Sequence, residues 1–512
     1  MDIKLFAFLK NAIRSRRHIY LDHNATTHVS SQVRRRMNRV LKHDYGNPSA
    51  LYGIARKSAE IMEDARQQLA EAIHAVPDEI CFTGCATESN NAVLKSVSNH
   101  FYPKKNKIIS TPVEHPSVIN TLEFLKTTGI VVVYCPVDRQ GRVSPAELEK
   151  LIDEDTFLIC CMLANNEIGT IQDIRAITKI AHQKGVLVLS DCVQAFGKIP
   201  VDIGELGIDY ASFSAHKLYG PKGVGALYVR QGSPFSPFIH GGHQESGMRA
   251  GTEGLHNIAG FSAACRDIPK HLAHAEKIKA LKLKLINRIR TIKPDCVVNS
   301  PEDDCLSNTT SITFPNMNSA GLMAMLDFHG IAVSGGSACS TQEEKPSHVL
   351  QSIGLSDKAA NETIRISLGC DTSERDIRYF SKVLREYSDG RTLQVNMITP
   401  AQLNESVLFD EQTYILDVRP QIQRRNLKSL TNSHEASFFK IEKYLNQFPR
   451  DKNILVVCQH GNLSIITAYY LKSKGFEQVS NLVSGLTGVK MRRSELYQKY
   501  SGQNVTILKS QS

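Results

Sequence analysis

The 512-residue sequence predicts an α/β protein: a large, mainly parallel sheet flanked by helices, with a further α/β unit behind it. Three observations predict this. β-branched and aromatic runs alternate with helical patterns over roughly the first three quarters of the chain, and some runs are nearly all apolar, as strands buried on both faces are. Five of these runs end in polar clusters, and in such sheets ligands gather beyond the carboxyl ends of the strands. Composition shifts at Ser388-Asp389-Gly390-Arg391, after which strand and helix patterns start again.

The runs follow in order. Glu79-Ile80-Cys81-Phe82-Thr83 leads into Gly84-Cys85-Ala86-Thr87-Glu88-Ser89-Asn90-Asn91, a turn opening a helix, where the amides of Ala86 and Thr87 and the Thr87 hydroxyl can cradle a phosphate. Lys107-Ile108-Ile109-Ser110-Thr111 leads to Glu114-His115, and His115 can stack on a ring and shuttle protons. Phe157 to Leu163 leads to Asn165-Asn166-Glu167-Ile168-Gly169, and Gly185 to Leu189 leads to Ser190-Asp191 with Gln194 beyond. Asp191 suits a pyridinium nitrogen, and Asn166 and Gln194 suit a phenolic oxygen. The fifth run ends in Ser212-Phe213-Ser214-Ala215-His216-Lys217, before the turn Leu218-Tyr219-Gly220-Pro221-Lys222-Gly223. A primary amine there suits a Schiff base to an aldehyde cofactor, with Ser214 and His216 donating to its phosphate. Singly, Asp191 reads as a cap, His115 as a satisfied core group and Asn166 as a turn former. Together the five clusters make a site.

These stretches, with Tyr20-Leu21-Asp22-His23-Asn24-Ala25-Thr26-Thr27, Gly247-Met248-Arg249-Ala250-Gly251-Thr252 and Ser334-Gly335-Gly336-Ser337-Ala338-Cys339, run in the order of the cysteine desulfurases. The chain resembles that family from about Ile19 to about Leu384. The resemblance implies the type I pyridoxal-phosphate-dependent transferase fold, a large mainly parallel sheet domain plus a small α/β domain, over residues 19–387. It implies pyridoxal 5'-phosphate as cofactor and conversion of L-cysteine to L-alanine, with sulfur captured as a protein persulfide. It also implies a homodimer in which Thr252 reaches the phosphate of the partner subunit's site. Two small departures, Gly84-Cys85 for a Ser-Gly pair and Ala215 for a glycine, leave this chemistry in place.

Cys339 separates this family from its aminotransferase relatives. It lies in Val333-Ser334-Gly335-Gly336-Ser337-Ala338-Cys339-Ser340, a permissive stretch suited to a nucleophilic thiol that must travel. The polar stretch Thr341-Gln342-Glu343-Glu344-Lys345 resembles the longer loop of the branch serving iron–sulfur assembly. Arg365 matches the substrate-carboxylate arginine, whose planar fork suits bidentate recognition, and Asn166 is expected beside the substrate as well. No intrinsic metal is expected; Cys339 is at most a transient iron–sulfur ligand.

Residues 388–400 read as a linker. Beyond it, Tyr414-Ile415-Leu416-Asp417-Val418-Arg419 is a strand ending in a charged pair, and Asn453-Ile454-Leu455-Val456-Val457 delivers Cys458 into Gln459-His460-Gly461-Asn462-Leu463-Ser464 ahead of a helix. Residues 401–508 resemble a rhodanese-like domain, a family in which loop amides at a helix N-terminus surround the cysteine sulfur. The domain is degenerate: Leu463 replaces the usual loop arginine, and Val489 stands where tryptophan is common. Cys458 is the expected second carrier in a relay from Cys339, with a docking module that moves no sulfur as the alternative. A selenocysteine lyase is the alternative for the enzyme itself.

Composition agrees with these readings. The apolar fraction of 41% and the mixed charges fit a soluble protein. Twelve cysteines without a paired framework point to reduced thiols and a cytoplasmic setting. The net charge of +10 is modest for this length, so direct nucleic-acid binding is not expected, and no run is long enough to span a membrane. The expected partners are L-cysteine, a second copy of the chain, and a sulfur acceptor such as an iron–sulfur scaffold or a tRNA-thiolating enzyme. Residues 1–18 read as a short basic helical arm, with a mitochondrial presequence as the alternative; a secretory signal would place its charges before its apolar stretch.

Overall fold

The computed structural model describes residues 18–317, 319–335, 346–389, 395–425 and 427–508. The expected N-terminal arm, save His18, and Cys339 lie outside them. A seven-stranded sheet forms the centre, in the order Ile80–Thr83, Gly225–Val229, Tyr210–Ser214, Leu187–Asp191, Thr156–Cys160, Lys107–Ser110 and Val131–Tyr134. Gly225–Val229 runs antiparallel to both its neighbours and the other pairs are parallel. Three of its inner strands, Thr156–Cys160, Tyr210–Ser214 and Gly225–Val229, are buried at every residue, as strands covered on both faces are.

Helices cover both faces. Ser31–His43, Gly53–Ile73 and Leu255–Cys265 pack together, their apolar faces joining the core formed by Ile109, Ile159, Val188 and Phe213. Ala86–Phe101 and Pro116–Lys126 cover the other face through Val93, Leu94, Val118 and Leu122. The expected strand ends hold to within a few residues, so the five polar clusters fall along one edge of the sheet.

A smaller domain carries an antiparallel sheet in the order Ser334–Gly335, Thr363–Ser367, Thr309–Thr313 and Val297–Val298. Three helices, Ala275–Ile292, Ser319–Phe328 and Glu374–Ser388, close its core around Leu285, Leu326, Ile366 and Phe380. The strand Ile19–Tyr20 pairs with Ile331–Ala332 and so joins this domain.

The C-terminal unit is a parallel six-stranded sheet in the order Asn396–Ile398, Val479–Leu482, Asn453–Val457, Thr413–Asp417, Ser433–Glu435 and Thr506–Ile507. Its first strand falls inside the stretch 388–400 expected as a linker, which corrects that boundary. The reason is packing: Met397 sits within van der Waals reach of the Gly321 position on Ser319–Phe328, so the segment is held from both sides.

The helix Asn462–Ser473 ties this unit to the small domain. Tyr469 donates to the Gly321 carbonyl oxygen at 3.4 Å and its ring stacks on Phe328 at 6.0 Å, while Ile465 and Tyr469 share a core with Leu322, Leu326 and Phe380. Burying side chains of this size contributes roughly 1.5–3 kcal/mol each. The unit is docked rather than tethered.

Candidate active site

Lys217 ends a short turn, Ala215–Lys217, just past the strand Tyr210–Ser214. Its Nζ donates to the carbonyl oxygens of Asn24 (2.6 Å) and Ala25 (2.8 Å), which fix the amine at the strand edge. Asp191 ends the adjacent strand and accepts from Asn90 Nδ2 (3.1 Å) and from the Val193 amide (3.0 Å). His115 is the N-cap of Pro116–Lys126, with Pro116 at the first helical position. The Ser117 amide donates to its Nδ1 at 3.1 Å, so the neutral ring carries its proton on Nε2. Burial holds the His115 pKa below the usual imidazole value against the opposing pull of Asp191. Thr87, Asn91, Lys95 and Phe124 line the cleft in front of it.

The helix Ala86–Phe101 begins at Cys85 with no side-chain cap, so its first-turn amides face the site without a competing oxygen from the N-cap. Gly225 lets the neighbouring strand pass beneath this turn: a Cβ there would lie 2.7 Å from the Cys85 carbonyl carbon and 2.9 Å from the Ala86 nitrogen. Phosphate amides, a carboxylate for a ring nitrogen and a positioned primary amine thus stand together. The residues fit pyridoxal phosphate.

Some expected residues take up contacts the sequence did not suggest. His216 Nδ1 pairs with Thr26 Oγ1 at 3.1 Å, and burial brings its pKa down to about 4. Gln194 Nε2 donates to the Asn24 carbonyl oxygen (3.1 Å), while its Oε1 accepts from Lys198 Nζ (2.6 Å). The main-chain oxygen of Asn166 accepts from Arg365 Nη1 at 3.0 Å and from Asn24 Nδ2 at 3.1 Å. Ser214 is buried at its strand end. Thr252 is exposed, in a segment anchored by Arg249 on Glu88 (2.9 Å) and by Glu245, which accepts from the Phe82 amide at 2.7 Å.

Three residues without an assigned role in the sequence prove central. Asn90 holds Asp191. Asn24 bonds Lys198 through Oδ1 (2.8 Å), Thr309 through Nδ2 (2.8 Å) and Lys217 through its carbonyl oxygen. Lys198 is held on Asn24 and Gln194 beside Lys217, and burial drives its pKa well below that of an ordinary lysine. Asn90 could have been found: it lies four residues past Ala86, hence on the same helix face. Asn24 gathers its partners from across the chain, and Lys198 meets Asn24 across 174 residues while Gln194 is four residues away.

Two buried acids frame the site. Burial pushes the Glu114 pKa up to about 8 despite bonds from the Met162 amide and the Thr111 hydroxyl, and raises that of Glu167, which accepts from Ser347, to about 7. A carboxyl whose pKa is raised on folding binds its proton more tightly in the folded state. Stability therefore falls as pH rises from about 5 to about 8, where the unfolded chain has already released those protons. We expect Glu114→Gln, a neutral mimic, to lessen this fall, melting above the wild type near pH 8.5 but not near pH 5.5. Parallel melting curves across that range would rule the account out.

Cys458 follows the strand Asn453–Val457 and is buried, with its Sγ accepting from the amides of Gly461 (3.2 Å) and Ser464 (3.3 Å). The loop is strapped between two helix starts: the Leu486 amide donates to the Cys458 carbonyl oxygen at 2.9 Å and the Thr487 amide to that of Gln459 at 3.0 Å. Gly485, at φ +59°, is required there, since a Cβ would lie 2.3 Å from the Cys458 oxygen. Beneath, Arg419 forms a fully buried pair with Asp417 (2.7 Å) and reaches Gln459 Oε1 at 3.3 Å, bracing the loop.

Comparison with known proteins agrees with this geometry. The class-V aminotransferase family profile matches residues 19–380, and the rhodanese-like domain profile matches residues 399–492. The chain is 40% identical over 373 residues to the cysteine desulfurase IscS of Dictyoglomus turgidum, covering 72% of this chain and 94% of that protein. It is 36% identical over 370 residues to the cysteine desulfurase NifS of Azotobacter vinelandii, covering 72% and 91%. Among solved structures, a NifS-like protein superposes with a TM-score of 0.70 at 40% identity, over 73% of this chain and all of its own. SspA in complex with cysteine superposes with a TM-score of 0.62 at 36% identity, over 68% and 98%.

Proposed function

The chain belongs to the class-V aminotransferase family and within it to the cysteine desulfurases, and from that premise we propose how its own residues divide the work. It is a pyridoxal-phosphate enzyme that converts L-cysteine to L-alanine. The cofactor, when bound, supplies an electron sink and the carbon to which the lysine attaches. Ala86, Thr87, Ser214 and His216 would hold its phosphate, Asp191, fixed by Asn90, would pair with its ring nitrogen, and Gln194 and Asn166 would hold the phenolic side. Lys217 carries the covalent link and moves protons at its Nζ. His115, held as the N-cap of its helix, would stack on the ring and accept or return a proton. Arg365 receives the substrate carboxylate.

Cys339 takes the sulfur. Its thiolate attacks the substrate sulfur, the substrate C–S bond breaks, and an S–S bond forms, so that L-cysteine and a thiol become L-alanine and a persulfide. The persulfide then passes to Cys458 by thiol exchange, which returns Cys339 to its thiol. Sulfur leaves for an acceptor protein, an iron–sulfur scaffold or a tRNA-thiolating enzyme. The exposed Thr252 segment supports a homodimer in which Thr252 reaches the phosphate of the other subunit's site. Eleven unpaired cysteines among the described residues support a reducing, cytoplasmic setting.

For the desulfurase, the observation that carries the reading is Lys217 at a strand edge beside Asp191. For the relay it is the Cys458 thiol in its cradle of amides. The test of the relay is labelled L-cysteine given to wild type, Cys339→Ser and Cys458→Ser. We expect label on Cys458 that vanishes in Cys339→Ser, and slower delivery to an acceptor in Cys458→Ser. Label confined to Cys339, with normal delivery from Cys458→Ser, would make the C-terminal unit a docking module.

A further inference from the structure

The argument for Asp22 rests on the assignment of Arg365 to the substrate carboxylate. Strand pairing brings the two together: Ser334 lies opposite Arg365, and Asp22 bridges to Ser367 two residues along the same strand. The Arg365 guanidinium is consequently engaged before any substrate arrives. Its Nη2 donates to Asp22 Oδ1 at 2.8 Å and its Nη1 to the Asn166 carbonyl oxygen at 3.0 Å. Among the described residues its Nε is buried without a hydrogen-bond partner, and the residue is only 1% exposed. Asp22 is in turn fixed, because its Oδ2 accepts from Ser334 Oγ at 2.7 Å.

A guanidinium offers a carboxylate two paired edges, Nη1 with Nη2 and Nε with Nη2. Both share Nη2, and Nη2 already carries a carboxylate. A second carboxylate brought to either edge meets a like charge on the same nitrogen, and like charges sharing a partly buried site repel strongly. The unpaired Nε marks the edge left for an incoming group, since a buried N–H without a partner costs free energy that a ligand oxygen recovers. Glu167 also lies near Arg365, but its carboxyl is engaged by the Ser347 hydroxyl, whereas Asp22 sits directly on the guanidinium.

We propose that Asp22 sets the enzyme's affinity for its substrate, acting as an internal carboxylate that L-cysteine must displace from Arg365 Nη2. The residue touches the arginine and not the reacting atoms, so its effect falls on binding. Substrate that enters pushes aside a charge the fold itself supplies.

The test compares Asp22→Asn, Asp22→Glu and Arg365→Lys in the cofactor-loaded, full-length enzyme. Two quantities are read: KM and kcat for L-cysteine, and the dissociation constant of the product L-alanine from the change in cofactor absorbance. Asp22→Asn keeps the shape and removes the charge; we expect KM and the alanine dissociation constant to fall about fivefold or more, with kcat changed less. Asp22→Glu keeps the charge and is expected to show no such fall, and Arg365→Lys to raise both constants. Should Asp22→Asn fail to give a wild-type melting profile, Asp22→Ser serves the same comparison. Unchanged constants in Arg365→Lys would remove the carboxylate assignment itself. Raised constants in Arg365→Lys together with unchanged or raised constants in Asp22→Asn would overturn the inference alone, leaving Asp22 as a support that orients the arginine.

Discussion

Lys217→Ala is expected to lower alanine release from L-cysteine on the order of 10³-fold or more, the scale on which groups acting in the chemical step register. On the proposed assignment the amine serves twice, as the covalent attachment for the cofactor and as a proton carrier, and alanine can do neither. The first-turn amides of Ala86–Phe101, proposed to hold the phosphate, remain, so the variant should retain some cofactor without turning over. Borohydride reduction of the loaded wild type, followed by peptide mapping, checks the attachment directly. The structure supplies a demanding control in Lys198, whose Nζ bonds the side chain of Asn24 while Lys217 bonds its carbonyl oxygen. Lys222, by contrast, is exposed in the following turn. An adduct found on Lys198 or Lys222 would transfer the catalytic role away from Lys217.

Cys339→Ser should have an effect of similar size on a different observable. A hydroxyl cannot hold sulfur in an S–S bond, nor does it ionise in the range where a thiol does, so persulfide and sulfide should fall on the order of 10³-fold. Lys217, His115 and Asp191 are untouched, so added L-cysteine should still perturb the cofactor absorbance. The two variants therefore separate: Lys217→Ala silences both signals, Cys339→Ser only the second. Undiminished sulfide release from Cys339→Ser would exclude that residue as the acceptor of the sulfur.

The sequence disclosed those parts of the site that sit at strand ends. Lys217, Asp191 and His115 follow apolar runs whose period and length identify strands, and strand ends in a mainly parallel sheet converge without further information. What it concealed depends on contacts made far along the chain. Asp22 meets Arg365 only because strand pairing in the small domain places them side by side, 343 residues apart in sequence. Asn24 finds Lys198 across 174 residues. A local pattern carries no trace of such pairings. The strand Asn396–Ile398 was hidden for another reason: three residues are too few for periodicity to register, and its neighbour Val479–Leu482 comes much later. At His216 the concealed part is the pairing of its Nδ1 with Thr26, which the fold alone brings alongside.

Ile465 and Tyr469 lend their side chains to a hydrophobic core that is mostly built by the preceding domain. Two regions that share a core cannot hold separate free energies of folding, because neither can unfold without exposing part of the other. Any ligand that binds the native enzyme, the cofactor first among them, then shifts the equilibrium of the whole chain by mass action. The loop around Cys458 thus inherits stability from a site it does not touch, and an enzyme empty of cofactor is also one whose Cys458 loop is less securely folded.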